Sequence, residues 1–310
     1  MRLRRTIAIG MAAAGVVVAT TAAVLPSRPI DRPQPLPALT TKALAARYAT
    51  DSRMIEKAAR VASRSGNTSL AQSLDGMRSH HFIDFNPAGS GLAAEVIGNL
   101  ATAKRVVILV PGSDTSLTTF DTRGTASLQG GALALAAQAH RLDPGNHLAI
   151  IAWLGYNTPS LLSPAVMTSG DAGQGASALR PLVDALARHG YQVALICHSY
   201  GSVVCGLAAP HLPVTDIAVV GSPGMDVSSV GAMHTTARVW AGREASDWIR
   251  NVPHIQFLGL GFGQDPMDPA FGARMFATGS GGHSNYFKPG GISLRNLAEI
   301  ALGNTTAVTR

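Results

Sequence analysis

The chemistry in this chain gathers around one serine. Tyr191 to Ile196 is an apolar run without charge, which reads as a strand buried on both faces. It leads into Cys197–His198–Ser199–Tyr200–Gly201 and then Ser202–Val203–Val204–Cys205, an apolar stretch that can be helical. The pentapeptide nearly matches Gly-x-Ser-x-Gly, a sharp strand-to-helix turn that lifts a serine hydroxyl clear of a sheet. Small residues two before and two after the serine are needed because the two backbones nearly touch there. Gly201 fills the second place, and Cys197 stands in the first, where glycine is usual. A serine hydroxyl is a poor nucleophile until a histidine takes its proton and an acid fixes that histidine's tautomer. Behind Ser199 come His211, His234, His254 and His283, and the acids Asp226, Glu244, Asp247, Asp265 and Asp268. A set of this kind performs acyl transfer through a covalent intermediate.

Other elements must bring those groups together. Residues 40–77 read as helical, with Leu44 and Tyr48 four apart, as are Leu70 and Leu74, and Ser65–Gly66–Asn67 splits the stretch in two. The bland reading is a packing appendage. Phe82–Ile83–Asp84–Phe85 alternates like a strand, with Gly91 to Ile97 as its hairpin partner. Arg105 to Val110 is a buried strand that ends in Pro111–Gly112–Ser113–Asp114–Thr115. A helix comes next, from about Ala126 to His140, and then a strand from His147 to Trp153. Tyr156 to Gly175 reads as a long loop carrying Leu161, Leu162, Ala165, Val166 and Met167, which could meet an acyl chain or pack on the N-terminal helices. Leu179, Leu182, Val183 and Leu186 mark a one-faced helix from near Ala178, stopped by Gly190. After the serine segment come strands at 216–220, 237–240 and 254–258. A last helix is capped by Ser293 and stopped by Gly303. Strands alternating with helices mean a mostly parallel sheet covered on both faces, with ligands at the carboxyl ends of its strands.

The +7 net charge suggests a nucleic-acid partner, but its distribution does not. Arg2, Arg4, Arg5, Arg28 and Arg32 against Asp31 put +4 of it in residues 1–35, leaving +3 for the rest. No basic run interleaved with aromatics lies beyond them, so nucleic acid is set aside. Residues 6–25 carry no charge and no proline behind Arg2, Arg4 and Arg5, which reads as an export signal or an uncleaved membrane anchor. The expected division is 1–25 signal or anchor, 26–37 proline-rich linker, 38–78 helical appendage and 79–310 main domain. The protein is then secreted or held on the outer face of the cytoplasmic membrane. Cys197 and Cys205 read as two buried thiols rather than a disulfide, one closing a strand and one lying a helical turn past Gly201. Two cysteines are too few for a metal site, and no metal or cofactor is expected.

Residues 82–302 resemble the α/β-hydrolase family 8 domain. The likeness rests on Asp84–Phe85–Asn86–Pro87, Leu109–Val110–Pro111–Gly112, Ala152–Trp153–Leu154–Gly155–Tyr156, Cys197–His198–Ser199–Tyr200–Gly201 and Val220–Gly221–Ser222–Pro223–Gly224. Further on it rests on Gln264–Asp265–Pro266–Met267–Asp268–Pro269–Ala270–Phe271–Gly272–Ala273 and Gly282–His283–Ser284–Asn285–Tyr286. The resemblance implies the α/β-hydrolase fold and serine-hydrolase chemistry, with no settled substrate. Cys197, where the family has glycine, is a departure.

In that fold the chain order is serine, acid, histidine. His283, among glycines and polar residues past the last strand, is the expected base, whereas His211, His234 and His254 precede or open strands. Asp247 is the expected acid, placed after the second strand beyond the serine strand, with Trp248 and Ile249 to bury it. Asp265, Asp226 and Glu244 remain open. Asp265 and Asp268 read as a rigid turn bracing the histidine loop, and Glu244 as a partner of Arg243. His198 reads as structural and His80–His81 as a solvated hairpin entry. Backbone N–H groups of Tyr200 and Ser113 would form the oxyanion hole, although a structural Pro-Gly turn also suits Pro111–Gly112. The expected activity is hydrolysis of a small-molecule or lipid ester. An acyltransferase with the same triad and a degenerate binding or scaffold protein are the other readings.

Overall fold

Alternation along the strands decides the architecture. The computed structural model describes residues 35–122, 124–252 and 261–310. The apolar run at residues 6–25, most of the proline-rich stretch and the strand expected at 254–258 lie outside the described residues. The helices α1 (Thr41–Arg64) and α2 (Thr68–Met77) come first, before the hairpin β1 (Phe82–Asn86) and β2 (Leu92–Ile97). Then come β3 (Arg105–Val110), α3 (Leu128–Leu142), β4 (Leu148–Leu154), α4 (Gly170–Arg188), β5 (Gln192–His198) and α5 (Gly201–Ala208). The chain closes with β6 (Asp216–Val220), β7 (Arg238–Gly242), β8 (Arg274–Met275) and α6 (Ile292–Leu302). These strands form one sheet in the order β1-β2-β4-β3-β5-β6-β7-β8. The β1–β2 and β2–β4 pairs are antiparallel, and every later pair is parallel.

Odd and even strand residues serve two different cores. Val106, Ile108, Val193, Leu195, Ile217 and Val219 face one side, together with α4 and α5. Val107, Leu109, Ala194, Ile196, Ala218 and Val220 face the other, together with α1, α2, α3 and α6. A parallel strand has no solvent face, so both sets must be apolar, which is why these strands read as unbroken hydrophobic runs. Each fully buried Val, Leu or Ile contributes roughly 1.5–3 kcal/mol to holding the layers together. Ile55, Leu74 and Met77 from the two N-terminal helices share the second core with the sheet.

Two local expectations are corrected, and one strand is unforeseen. The helix before β5 begins at Gly170 rather than near Ala178. Gly170, Gly173 and Gly175 suggest a loop, yet a Cβ at Gly175 would lie 3.0 Å from the Tyr156 ring and 3.1 Å from Val204, so this glycine lets α4 pack close. Gly291, not Ser293, is the N-cap of α6, and Ser293 is buried inside its first turn. The two-residue strand β8 is too short to leave a periodic signal.

Asp51 is an anomaly in α1. It is fully buried, and neither carboxylate oxygen has a hydrogen-bond partner among the described residues. Burial pushes its carboxyl up to about 7, with Arg47 opposing that shift and Asp84 adding to it. A carboxyl raised in the fold holds its proton longer than in the unfolded chain, so stability drains away as pH rises from 3.8 to about 7. Asp51→Asn removes that titration. The melting-temperature gain of the variant should grow from pH 4 to pH 8, and a gain independent of pH would contradict this reading.

Candidate active site

The parallel strands all end on one edge, and the chemistry collects there. Ser199 is the first residue beyond β5, and its backbone is held at φ +54°, a left-handed conformation uncommon for a residue with a side chain. Its amide donates to the Val220 carbonyl at 3.0 Å, which ties the turn to β6. Two glycines make the turn possible. A Cβ at Gly201 would lie 2.5 Å from the Pro111 carbonyl oxygen, and one at Gly112 would lie 2.6 Å from Ser199 Cβ. The loop after β3 is thereby pressed against the serine.

His283 Nε2 lies 2.9 Å from Ser199 Oγ, and His283 Nδ1 lies 2.9 and 3.0 Å from the two oxygens of Asp247. The serine comes directly after β5, the aspartate lies five residues past β7, and the histidine lies beyond β8. Asp247 is fully buried. Burial alone would raise its carboxyl, but hydrogen bonds from His283, Tyr286 and the Ile249 amide outweigh it and hold the group below the ordinary value. A buried carboxylate kept ionised fixes the tautomer with Nδ1 protonated and leaves Nε2 able to take the serine proton. Trp248, expected to bury this carboxylate, instead sets its ring 4.6 Å from that of His283 and remains 44% exposed.

Tyr286 joins the site from outside the expected set. Its hydroxyl donates to Asp247 Oδ2 at 2.5 Å and accepts the Glu244 amide at 3.1 Å. It thus fixes both ends of the turn that carries Asp247. Tyr286→Phe removes one of three donors from the aspartate, leaving His283 and the Ile249 amide, and takes the hydroxyl acceptor from the Glu244 amide. The expected result is a fall in kcat of about tenfold with KM little changed. Unchanged kcat would remove Tyr286 from this role.

A cleft of about 140 Å³ opens beside the serine, lined on one side by Ser199 and His283 and on the other by the loop after β3. The Tyr200 amide opens α5, and the Ser113 amide comes after Gly112 at the cleft wall. Among the described residues neither amide donates to a protein acceptor. Leu161 reaches the cleft and Leu162 is 97% exposed, so these two residues do not pack on the N-terminal helices.

The α/β-hydrolase family model matches residues 86–257, more than half of the chain. The chain belongs to the α/β-hydrolase family. Two uncharacterized proteins of Mycobacterium tuberculosis, from two strains, are 32% identical to it over 261 residues. That match covers 71% of this chain, and the chain spans only 38% of the length of those relatives. Among solved structures, it is similar to a serine hydrolase without lid from Xanthomonas campestris (15% identity, 69% of this chain, 89% of the other, TM-score 0.44). It is also similar to a dienelactone hydrolase from Anabaena variabilis (15% identity, 72% and 94%, TM-score 0.44).

The other acids of this α/β hydrolase have other partners. Asp265 takes Arg243 Nη1 at 2.7 Å, which leaves Glu244 to accept the Gly281 amide rather than pair with Arg243. Asp268 caps a short turn through the Ala270 amide. Asp226 precedes β7, and its amide donates to the Phe262 carbonyl. Of the other histidines, His211 and His234 sit at left-handed positions in loops, and His254 lies outside the described residues.

His198 has the structural part expected of it: its Nε2 lies 2.8 Å from the His283 carbonyl oxygen. Burial lowers its pKa to about 4, so it braces the histidine loop as a neutral donor. His81 is exposed, as expected of a solvated hairpin entry, but His80 is half-buried. Its Nδ1 lies 2.8 Å from Gln129 Nε2 and 3.5 Å from the buried Glu95, while His81 stacks on Tyr48 with ring centroids 4.5 Å apart.

The two cysteines form a disulfide, not a pair of thiols. Their Cα atoms are 6.6 Å apart, within bridging range. Close packing of α5 on the sheet at Gly201 returns Cys205 over the end of β5, a turn geometry that residue spacing does not reveal. Cys197 in the place of glycine is therefore one end of a bridge across the serine turn.

Proposed function

We propose that this α/β hydrolase is a serine esterase, with Ser199 as nucleophile, His283 as general base and Asp247 as the acid that orients it. The observation that carries the reading is the unbroken hydrogen-bond chain from Ser199 Oγ through His283 to Asp247. Ser199 Oγ attacks the ester carbonyl as its proton passes to His283 Nε2. The charge that develops on the carbonyl oxygen is met by the Tyr200 and Ser113 amides. The intermediate collapses to an acyl-enzyme, and His283 returns the proton to the departing alcohol. Water, deprotonated by the same nitrogen, then releases the acid.

We also propose export, to the medium or to the outer face of the cytoplasmic membrane. Supporting it are the arginine-flanked apolar run at residues 6–25 and the Cys197–Cys205 disulfide, a bond suited to an oxidising compartment. Among the described residues no helix is long and apolar enough to cross a membrane.

The test is product analysis on p-nitrophenyl acetate in the presence of an acceptor alcohol. One acid released per ester consumed supports hydrolysis. A new ester as the main product would assign the chain to acyl transfer instead.

A further inference from the structure

The cleft beside Ser199 carries information about the substrate. Its volume of about 140 Å³ falls below the roughly 300–1,000 Å³ of pockets that enclose drug-sized ligands. At about 30 Å³ of liquid volume per water it holds roughly five waters, the scale of one small ring. The wall is of two kinds. Leu128, Leu161 and Phe287 offer apolar surface, while Ser113, Asp114 and Thr125 offer polar atoms.

Those polar atoms are not used up in holding the loop. Ser113 Oγ is buried without a partner. Among the described residues the Thr125 hydroxyl also has no partner, and Asp114 spends only Oδ2, on the Leu161 amide at 3.3 Å. The unpaired, buried Ser113 Oγ costs free energy, so a ligand that supplies its partner is bound preferentially, while the part-exposed Asp114 and Thr125 stand open to a ligand's hydroxyls. The Asp114 carboxylate stands on this wall, which disfavours a phosphate or carboxylate beside it.

We infer that the cleft seats one neutral, sugar-sized polyol ring, so that the substrate is an acylated carbohydrate. This rests on the serine-esterase reading. A sugar ring has apolar C–H faces and a hydroxyl rim, and the two kinds of wall match them. Asp114 accepts from ring hydroxyls, and Ser113 and Thr125 donate to or accept from others. A free acyl saccharide and a glycolipid headgroup share this chemistry.

The experiment compares kcat/KM for 6-O-acetylglucose with that for cyclohexylmethyl acetate, a ring of the same size that lacks the hydroxyls and the ring oxygen. The sugar ester should be favoured by at least about tenfold, because a site built for hydroxyls rejects the analogue that lacks them. A dodecanoyl ester of the same sugar, turned over better than the acetyl ester, identifies a glycolipid source; the reverse order identifies a soluble saccharide. Asp114→Asn, which suits the left-handed backbone at this position (φ +56°), should lower the sugar-to-cyclohexyl ratio on the order of tenfold. Thr125→Val removes one hydroxyl at constant shape and should lower the ratio in the same direction, even if Asp114→Asn folds poorly. Equal or better use of cyclohexylmethyl acetate by an active protein overturns the carbohydrate inference alone. No turnover of any ester, with Ser199 unreactive to a fluorophosphonate, overturns the esterase reading and this inference with it.

Discussion

Ser199→Ala should lower kcat on any ester the protein turns over by roughly 10⁶-fold, the scale seen when another serine enzyme loses its nucleophile. The change deletes one oxygen, which lies 2.9 Å from His283 Nε2, and leaves the rest of the site in place. Alanine at φ +54° is about as strained as serine, so the turn should persist. Binding should survive, because the amides of Tyr200 and Ser113 and the cleft walls are untouched. The measurement is steady-state kinetics on purified variant and parent, with melting temperature as the control for folding. Undiminished turnover in a folded Ser199→Ala protein would remove the serine from the mechanism.

The second large effect belongs to Asp247. An asparagine there keeps the size and the contact with the Ile249 amide, but it presents an N–H toward His283 Nδ1 and favours the wrong tautomer. The expected loss in kcat is about 10⁴-fold in a protein that still folds. Asp265→Asn is the contrasting variant. It weakens the 2.7 Å pair with Arg243, for a stability loss of roughly 1 kcal/mol and little change in kcat. Full activity in Asp247→Asn together with collapse of kcat in Asp265→Asn would transfer the acid's role to Asp265.

Much of the fold is legible in the residues because parallel strands have no solvent face. Arg105 to Val110 and Asp216 to Val220 announce themselves as strands with no need of partners. The helices with one apolar stripe, such as the one bearing Leu179, Val183 and Leu186, are equally plain. The site is legible in part. Ser199 and Asp247 are reachable by asking which polar residues follow the carboxyl ends of the strands, whereas His283 follows β8, which leaves no signal, and is reached through its glycine-rich loop and the family resemblance. The illegible features depend on close packing. Gly170 to Gly175 reads as loop until Gly175 is seen to lie where a side chain would meet Tyr156 and Val204 of α5. The Cys197–Cys205 bridge depends on how near a helix comes to the strand that precedes it. Tyr286 leaves a faint signal, an aromatic three residues past the histidine. Its bond to Asp247 crosses 39 residues of sequence and has no local pattern.

The most direct measurement is covalent labelling with a fluorophosphonate, and then peptide mapping. Only a serine activated by its neighbours displaces fluoride at a useful rate, so the label reports the Ser199–His283–Asp247 chain independently of any substrate. The account predicts one label per chain, on the peptide containing Ser199, absent in Ser199→Ala and strongly slowed in Asp247→Asn. A folded protein that takes no label, or takes it at a different serine, would contradict it.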